Sequence, residues 1–95
     1  MLIQKKNKQM IKLVQVDHNN YSDQFHLREI IVNSAHIISI TDDPEMASLH
    51  AKGSLPEGLH EAQQFSKVTF TNGKEIVVVG KPGLIGNKAK KVLHG

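Results

Sequence analysis

The chain has 95 residues, a net charge of +3 and only 4% aromatic residues. This length suits one small domain, whose core must be built mainly from aliphatic side chains. The absence of cysteine excludes disulfides, thiolate metal sites and cysteine nucleophiles. Lysines without acids occupy residues 1–12 and 81–95, whereas the residues between them are acidic on balance. This charge pattern favours contact with phosphates or between copies of the chain.

The N-terminal residues are polar and lysine-rich, and they show no hydrophobic periodicity. They lack the apolar stretch of a signal peptide, and no segment reaches the roughly 20 apolar residues that cross a bilayer. We therefore predict a flexible basic leader at residues 1–9 and a single β-rich domain at residues 10–95. We expect a cytoplasmic protein that does not contact a membrane.

The first half of the domain is rich in β-prone residues. It predicts strands at residues 11–16, 25–32 and 36–40, with a turn at residues 17–20 and a break at Asn33-Ser34. The pattern then changes: Asp43 is a good N-cap, Pro44 suits the first helical position, and Gly53 can end a short helix over residues 44–52. Residues 42–64 thus form an insertion that is longer than a compact domain needs, and such loops are often functional.

The clearest local signal is Asn72-Gly73, which predicts a type I′ turn between strands at residues 67–71 and 74–79. A two-residue loop would place Phe70 opposite Glu75 and Val68 opposite Val77. Residues 76–79 are apolar at every position, so we expect both faces of that strand to be covered. Homo-oligomerisation is one way to cover them.

A C-terminal helix is predicted from Pro82 onwards. Its expected apolar stripe consists of Leu84, Ile85, Ala89, Val92 and Leu93. The predicted fold class is therefore α+β: a small curved antiparallel β-sheet of about five strands, a short helix in the insertion and one C-terminal helix.

The segment at residues 80–88 follows a strand and precedes a helix, as phosphate-binding loops do. Its glycines lie at positions 80, 83 and 86, which matches neither the Walker loop nor the dinucleotide fingerprint. Pro82 also removes one N–H that a phosphate would use. A simpler anion site formed by Lys81, Lys88 and the first amides of the helix remains open, as does an ordinary strand-to-helix connection.

Other polar clusters do not point to catalysis or to a metal. The six histidines match no metal-ligand spacing, so we predict no metal and no cofactor. Asp42, Asp43 and Glu45 are explained by a helix cap, although a cation site or a carboxylate pair uses the same residue types. No Ser/His/Asp arrangement is legible. We therefore predict that the protein is not an enzyme.

Three segments occur in a familiar order: residues 10–13, the run I-V-N-S-A-H-I-I-S-I at residues 31–40, and the hairpin around T-N-G-K at residues 71–74. This order resembles the small flagellar swarming-motility protein family and short bacteriophage proteins of similar size. Some of those phage proteins sequester cyclic-nucleotide immune signals without catalysis. The resemblance implies a phage-encoded binding protein, and it carries over no residue role.

These observations predict a small non-enzymatic, homo-oligomeric binding protein that takes an anionic, nucleotide-like ligand. The alternatives are a flagellar or phage regulator that binds a host protein through the insertion, and a non-specific nucleic-acid-binding protein. Phosphate contacts are predicted for Lys81, Lys88 and the single arginine Arg28. Amide contacts to a base or ribose are predicted for Asn72 and Asn87.

Overall fold

A computed structural model describes residues 9–94. It has one open antiparallel sheet of five strands and two α-helices, so the α+β prediction is confirmed. The strands are β1 (Met10–Asn19), β2 (Gln24–Asn33), β3 (Ile37–Asp42), β4 (Phe65–Phe70) and β5 (Glu75–Val79); the helices are α1 (Pro44–Ala51) and α2 (Pro82–His94), and a 3-10 helix spans Ser34–His36. No helix within residues 9–94 combines the length and apolar character that crossing a membrane requires.

The sheet is curled. Its strand order is β2-β1-β5-β4-β3, which places β2 and β3 at opposite edges. In a flat sheet those edges would be about 19 Å apart, because neighbouring strands are spaced by roughly 4.8 Å. The chain nevertheless passes from Asn33 to Ile37 through three residues, which span about 14 Å at most. The two edges must therefore curve toward each other, which agrees with the predicted curvature of the sheet.

The β4–β5 hairpin differs from its prediction by one residue. Thr69 pairs with Glu75 and Val68 with Ile76, so the loop contains three residues rather than two. Gly73 N–H donates to the carbonyl of Phe70 at 2.8 Å, and Gly73 has a φ of +85°. This is a type I turn followed by a left-handed residue, which is the usual form of a three-residue loop. The predicted type I′ turn and its register are therefore wrong.

The helix-side core lies between α2 and one face of the sheet. Its buried members are Ile11, Leu13, Val68, Val78 and Ile85. Ile85 of α2 is 1% exposed, whereas Leu84, which was predicted to share its stripe, is 49% exposed. The predicted stripe members Val92 and Leu93 lie outside the residues whose side chains are described. α2 packs against β1, β3, β4 and the 3-10 helix, and so covers one face of the sheet.

The insertion-side core lies on the opposite face of the sheet. Its buried members are Val16, Met46, Leu55 and Phe65, and Val77 and Val79 pack against them. Met46 and Leu55 belong to the insertion, which therefore covers the face that α2 leaves open. Both faces of β5 are covered within one chain, as its continuous apolar sequence predicts. The apolar strand thus gives no reason by itself to expect a second copy.

The predicted signals place α1 accurately. The Asp43 side chain accepts the N–H of Met46 at 3.1 Å, as an N-cap does, and Pro44 takes the first helical position. At the other end, Gly53 adopts a φ of +82°. The N–H groups of Gly53 and Ser54 donate to the carbonyls of His50 and Leu49, which is a Schellman motif.

One predicted turn is shifted, and the predicted leader is not tested. The turn predicted at residues 17–20 begins only at Asn20, because the long β1–β2 hairpin continues through Asn19. The predicted leader, residues 1–9, lies outside the described residues except for Gln9. The carbonyl of Gln9 accepts the N–H of Ser34 at 2.7 Å, which places Gln9 beside the 3-10 helix.

Candidate functional site

Predicted site residues line two separate pockets at the two ends of β5. Lys81 lies two residues after this strand, whereas Asn72 lies three residues before it. The five residues of the strand span roughly 17 Å, so one small ligand cannot contact both side chains through a single pocket.

The helix-start pocket has a volume of about 300 Å³ and lies where the insertion meets the beginning of α2. Its side chains come from His60, Ala62, Gln63, Gln64, Lys81 and Leu84. The Nδ1 atom of His60 accepts the N–H of Ala62 at 3.0 Å, which leaves Nε2 to carry the imidazole proton. The pocket therefore combines a lysine, an imidazole donor and amides with the half-exposed Leu84.

The start of α2 offers an anion few backbone donors. The carbonyl of Lys81 accepts the N–H groups of both Leu84 and Ile85, at 3.0 and 3.2 Å. Pro82 has no N–H, so the first turn retains the N–H of Gly83 as a donor without an intrahelical partner. The amides predicted to cradle a phosphate are therefore largely used within the helix.

The charge of the insertion also opposes an anion at this end. Residues 42–64 contain five carboxylates and one lysine. His60, Gln63 and Gln64 of this segment line the helix-start pocket. A phosphate beside Lys81 would therefore experience the field of an acidic segment, which reduces the benefit of that single cation.

The hairpin pocket has a volume of about 420 Å³ and lies between the 3-10 helix and the β4–β5 loop. It is lined by Asn33, His36, Phe70, Thr71, Asn72 and Lys74. The N–H of Thr71 donates to the carbonyl of His36 at 2.8 Å, which joins the loop to the 3-10 helix. This backbone bond makes the pocket a fixed feature of the two elements that form it.

Both asparagine side chains of this pocket are oriented by the backbone. The Oδ1 atom of Asn33 accepts the N–H of Ala35, and the Oδ1 atom of Asn72 accepts the N–H of Lys74, each at 2.9 Å. These bonds cap the 3-10 helix and the hairpin loop. The oxygen of each amide is therefore engaged, and its NH₂ group is the part that remains to bind a ligand.

The other predicted site residues lie outside both pockets. Lys88 donates from Nζ to the carbonyl of Lys12 at 3.2 Å. Asn87 is exposed on α2, and Arg28 is an exposed residue of β2 with its Nη1 atom 4.0 Å from Asp17. The five predicted residues therefore do not converge on one site.

Of the six residues that line the hairpin pocket, only Asn72 is a predicted site residue; the other five are Asn33, His36, Phe70, Thr71 and Lys74. Asn33 in the sequence indicates a strand break, and an asparagine there can also cap the turn that follows. His36 and Lys74 carry no local signal, because only the curl of the sheet brings the two segments together. Within residues 9–90, no group of three or more His, Asp or Glu side chains is placed to hold a metal ion.

Comparison with known proteins returns no match to a family model, a curated sequence or a solved structure. The resemblance to swarming-motility and phage proteins therefore stays a prediction. A function for the chain is therefore inferred from its fold and its two pockets.

Proposed function

We propose that the chain is a non-enzymatic binding protein whose hairpin pocket takes a small anionic, nucleotide-like ligand. The main support for this proposal is which side-chain groups of the pocket are already hydrogen-bonded within the protein and which are not. Two asparagines have engaged oxygens and available NH₂ groups, and Lys74 adds an ammonium group. A ligand rich in acceptors, such as a phosphate ester, complements these donors.

Charge supports the same pocket. Lys74 lines it, and no acidic side chain belongs to its described lining. The hairpin pocket therefore has a more favourable electrostatic setting for an anion than the helix-start pocket has.

The biological role that we propose is sequestration. A binding protein of this kind would act by lowering the free concentration of its ligand. A phage-encoded, homo-oligomeric protein that removes a cyclic-nucleotide immune signal would act in this way. The size of the pocket is within the range of small-molecule sites, which supports a mononucleotide or a part of a larger ligand.

Calorimetric titration tests the proposal with cyclic dinucleotides, cyclic ADP-ribose isomers and short oligonucleotides as probes. Lys74→Ala should weaken binding about tenfold, or about 1.4 kcal/mol, and added salt should weaken wild-type binding too. Lys90→Ala is the matched control, because Lys90 is an exposed lysine of α2 outside both pockets.

Lys81→Ala distinguishes the two pockets. We expect it to leave the affinity close to wild type. If Lys81→Ala weakens binding tenfold and Lys74→Ala does not, the ligand belongs to the helix-start pocket. Binding that increases with oligonucleotide length, with no affinity for mononucleotides, would instead support non-specific nucleic-acid binding.

A protein-binding role is the second candidate, and the tip of the β1–β2 hairpin favours it. Tyr21 is fully exposed there. The tip is ordered by hydrogen bonds, since the Oδ1 atom of Asn19 accepts the N–H of Tyr21 and the carbonyl of Asn19 accepts the N–H of Asp23. Exposed aromatic residues on rigid supports are frequent binding hot spots. A partner that wild type and Lys90→Ala retain but Tyr21→Ser loses would establish this role.

A further inference from the structure

We infer that the hairpin pocket reads the edge of a base that carries O6 in guanine or O4 in uracil, and that it prefers these two keto bases over adenine and cytosine, which carry an NH₂ group at the same position. This inference rests on the proposed function, because it concerns the base of a ligand bound in that pocket. It follows from which hydrogen-bonding groups of the pocket are not already bonded within the protein and can therefore bind a ligand.

The side-chain oxygens of the two asparagines already accept hydrogen bonds within the protein. Asn33 and Asn72 each use Oδ1 to hold a backbone N–H two residues further along, at 2.9 Å. Rotating either amide to present its oxygen to a ligand would break the turn that the amide caps. Each asparagine therefore offers NH₂ hydrogens and acts as a donor.

Three neighbouring backbone carbonyls each accept one hydrogen bond within the protein. The carbonyl of Phe70 accepts from Gly73, that of Lys74 accepts from Phe70, and that of His36 accepts from Thr71, each at 2.8 Å. These three bonds close the hairpin loop and join it to the 3-10 helix.

The remaining side chains do not reverse this balance. Lys74 can only donate. Thr71 Oγ1 and His36 Nδ1 lie 3.4 Å apart. A hydrogen shared between them leaves Thr71 Oγ1 as an acceptor for a ligand, and it leaves His36 Nε2 as a second acceptor when the histidine donates. Among the side chains of the described lining, the donor hydrogens of Asn33, Asn72 and Lys74 thus outnumber these acceptors. Phe70 supplies an apolar ring surface for a base.

The bases differ in the groups that would face these donors. Guanine presents O6 and N7 as acceptors, and uracil presents O4, the position of the thymine O4 group. Adenine and cytosine place an NH₂ group at the corresponding positions. An NH₂ group that enters a site already filled with donors loses its hydrogen bonds to water without gaining a partner. Keto bases should therefore bind on the order of tenfold more tightly.

Matched pairs of nucleotides provide the test. GMP and AMP share one ribose phosphate, and so do UMP and CMP, so the base alone decides each affinity ratio in calorimetric titration. Inorganic phosphate serves as a probe of the anion contribution. We expect GMP to exceed AMP and UMP to exceed CMP by about tenfold.

Asn72→Asp is the decisive variant. The aspartate retains an oxygen for the N–H of Lys74 and is well tolerated in turns, while it replaces the NH₂ donor by a second acceptor. The added charge should weaken all four nucleotides, but the keto-to-amino ratio should fall to about one or below. Asn87→Asp makes the same charge change on an exposed position of α2 and should preserve the wild-type ratio.

The outcomes separate the two proposals. No binding of any nucleotide to the folded protein would overturn the proposed function and this inference with it. Binding of GMP and AMP with equal affinity, or a preference for AMP, would overturn the inference and leave the proposed function standing. A keto preference that Asn72→Asp leaves unchanged would also overturn it, because the preference would then arise outside the hairpin pocket.

Discussion

At the scale of single residues, one backbone angle sets the geometry of the β4–β5 loop. Gly73 has a φ of +85°, and a Cβ added there would meet no atom within 4 Å. A substitution is therefore opposed by backbone strain alone. Since residues 71 and 72 do not share this conformation, a single glycine is needed where a type I′ turn would need two positions with positive φ.

Gly73→Val should lower the free energy of unfolding by about 1–3 kcal/mol, because a β-branched residue is strained in the left-handed region. Gly73→Asn should have a smaller effect, since asparagine tolerates this region. Urea unfolding measures both. Equal midpoints for wild type and Gly73→Val would show that the loop does not hold this conformation in solution.

Ser66 is a residue whose role could not be read from the sequence. It is fully buried, and its Oγ donates to the carbonyl of Gly80 at 2.6 Å. This bond joins β4 to the junction between β5 and α2. Ser66→Ala should destabilise the fold by about 1–3 kcal/mol, since it leaves a buried carbonyl with one bond fewer. Ser48→Ala, at an exposed position of α1, is the control in thermal unfolding.

At the scale of elements, α1 is short and depends on its caps. Asp43→Ala should cost about 1 kcal/mol, because the N–H of Met46 loses its side-chain acceptor. Asp42→Ala removes the same charge from an exposed neighbour and should change stability by a few tenths of a kcal/mol at most. A chemical-denaturation series that ranks the two variants equally would contradict the cap.

The elements that could be predicted are those whose signals act between residues close in sequence. The helix signals at Asp43, Pro44 and Gly53 act within a few residues, so the predicted α1 agrees with the observed one. The register of β4 and β5 depends on whether the loop has two or three residues, and Asn72-Gly73 suits both. The hairpin pocket was not predicted, because it forms between segments about 35 residues apart that only the curled sheet brings together.

At the scale of the whole molecule, homo-oligomerisation stays a prediction with a different basis. Both faces of β5 are covered, but Met10 and Ile31 are 43% and 64% exposed. The β1–β2 register places these two residues as diagonal neighbours on the face that bears the insertion-side core. They form an apolar patch that the described insertion leaves exposed.

Light scattering at micromolar concentration should therefore give a mass of at least two chains. Ile31→Lys should shift the mass toward the 10.6 kDa of one chain without lowering the unfolding midpoint, because the side chain is mostly in water in the monomer. Ile38→Lys is the control, since Ile38 is similarly exposed on β3 at the other edge of the sheet. A wild-type monomer over a hundredfold dilution range would contradict the oligomer.

The insertion begins and ends at one point of the sheet, where the N–H of Asp43 donates to the carbonyl of Phe65 at 3.0 Å. A segment with adjoining ends is modular: its length can change without altering the pairing of the strands on either side. Replacing residues 44–64 by a short glycine-containing loop should thus preserve the sheet while uncovering Phe65 and Val16. In evolutionary terms, this position can accept new segments, provided that each supplies apolar groups to replace Met46 and Leu55.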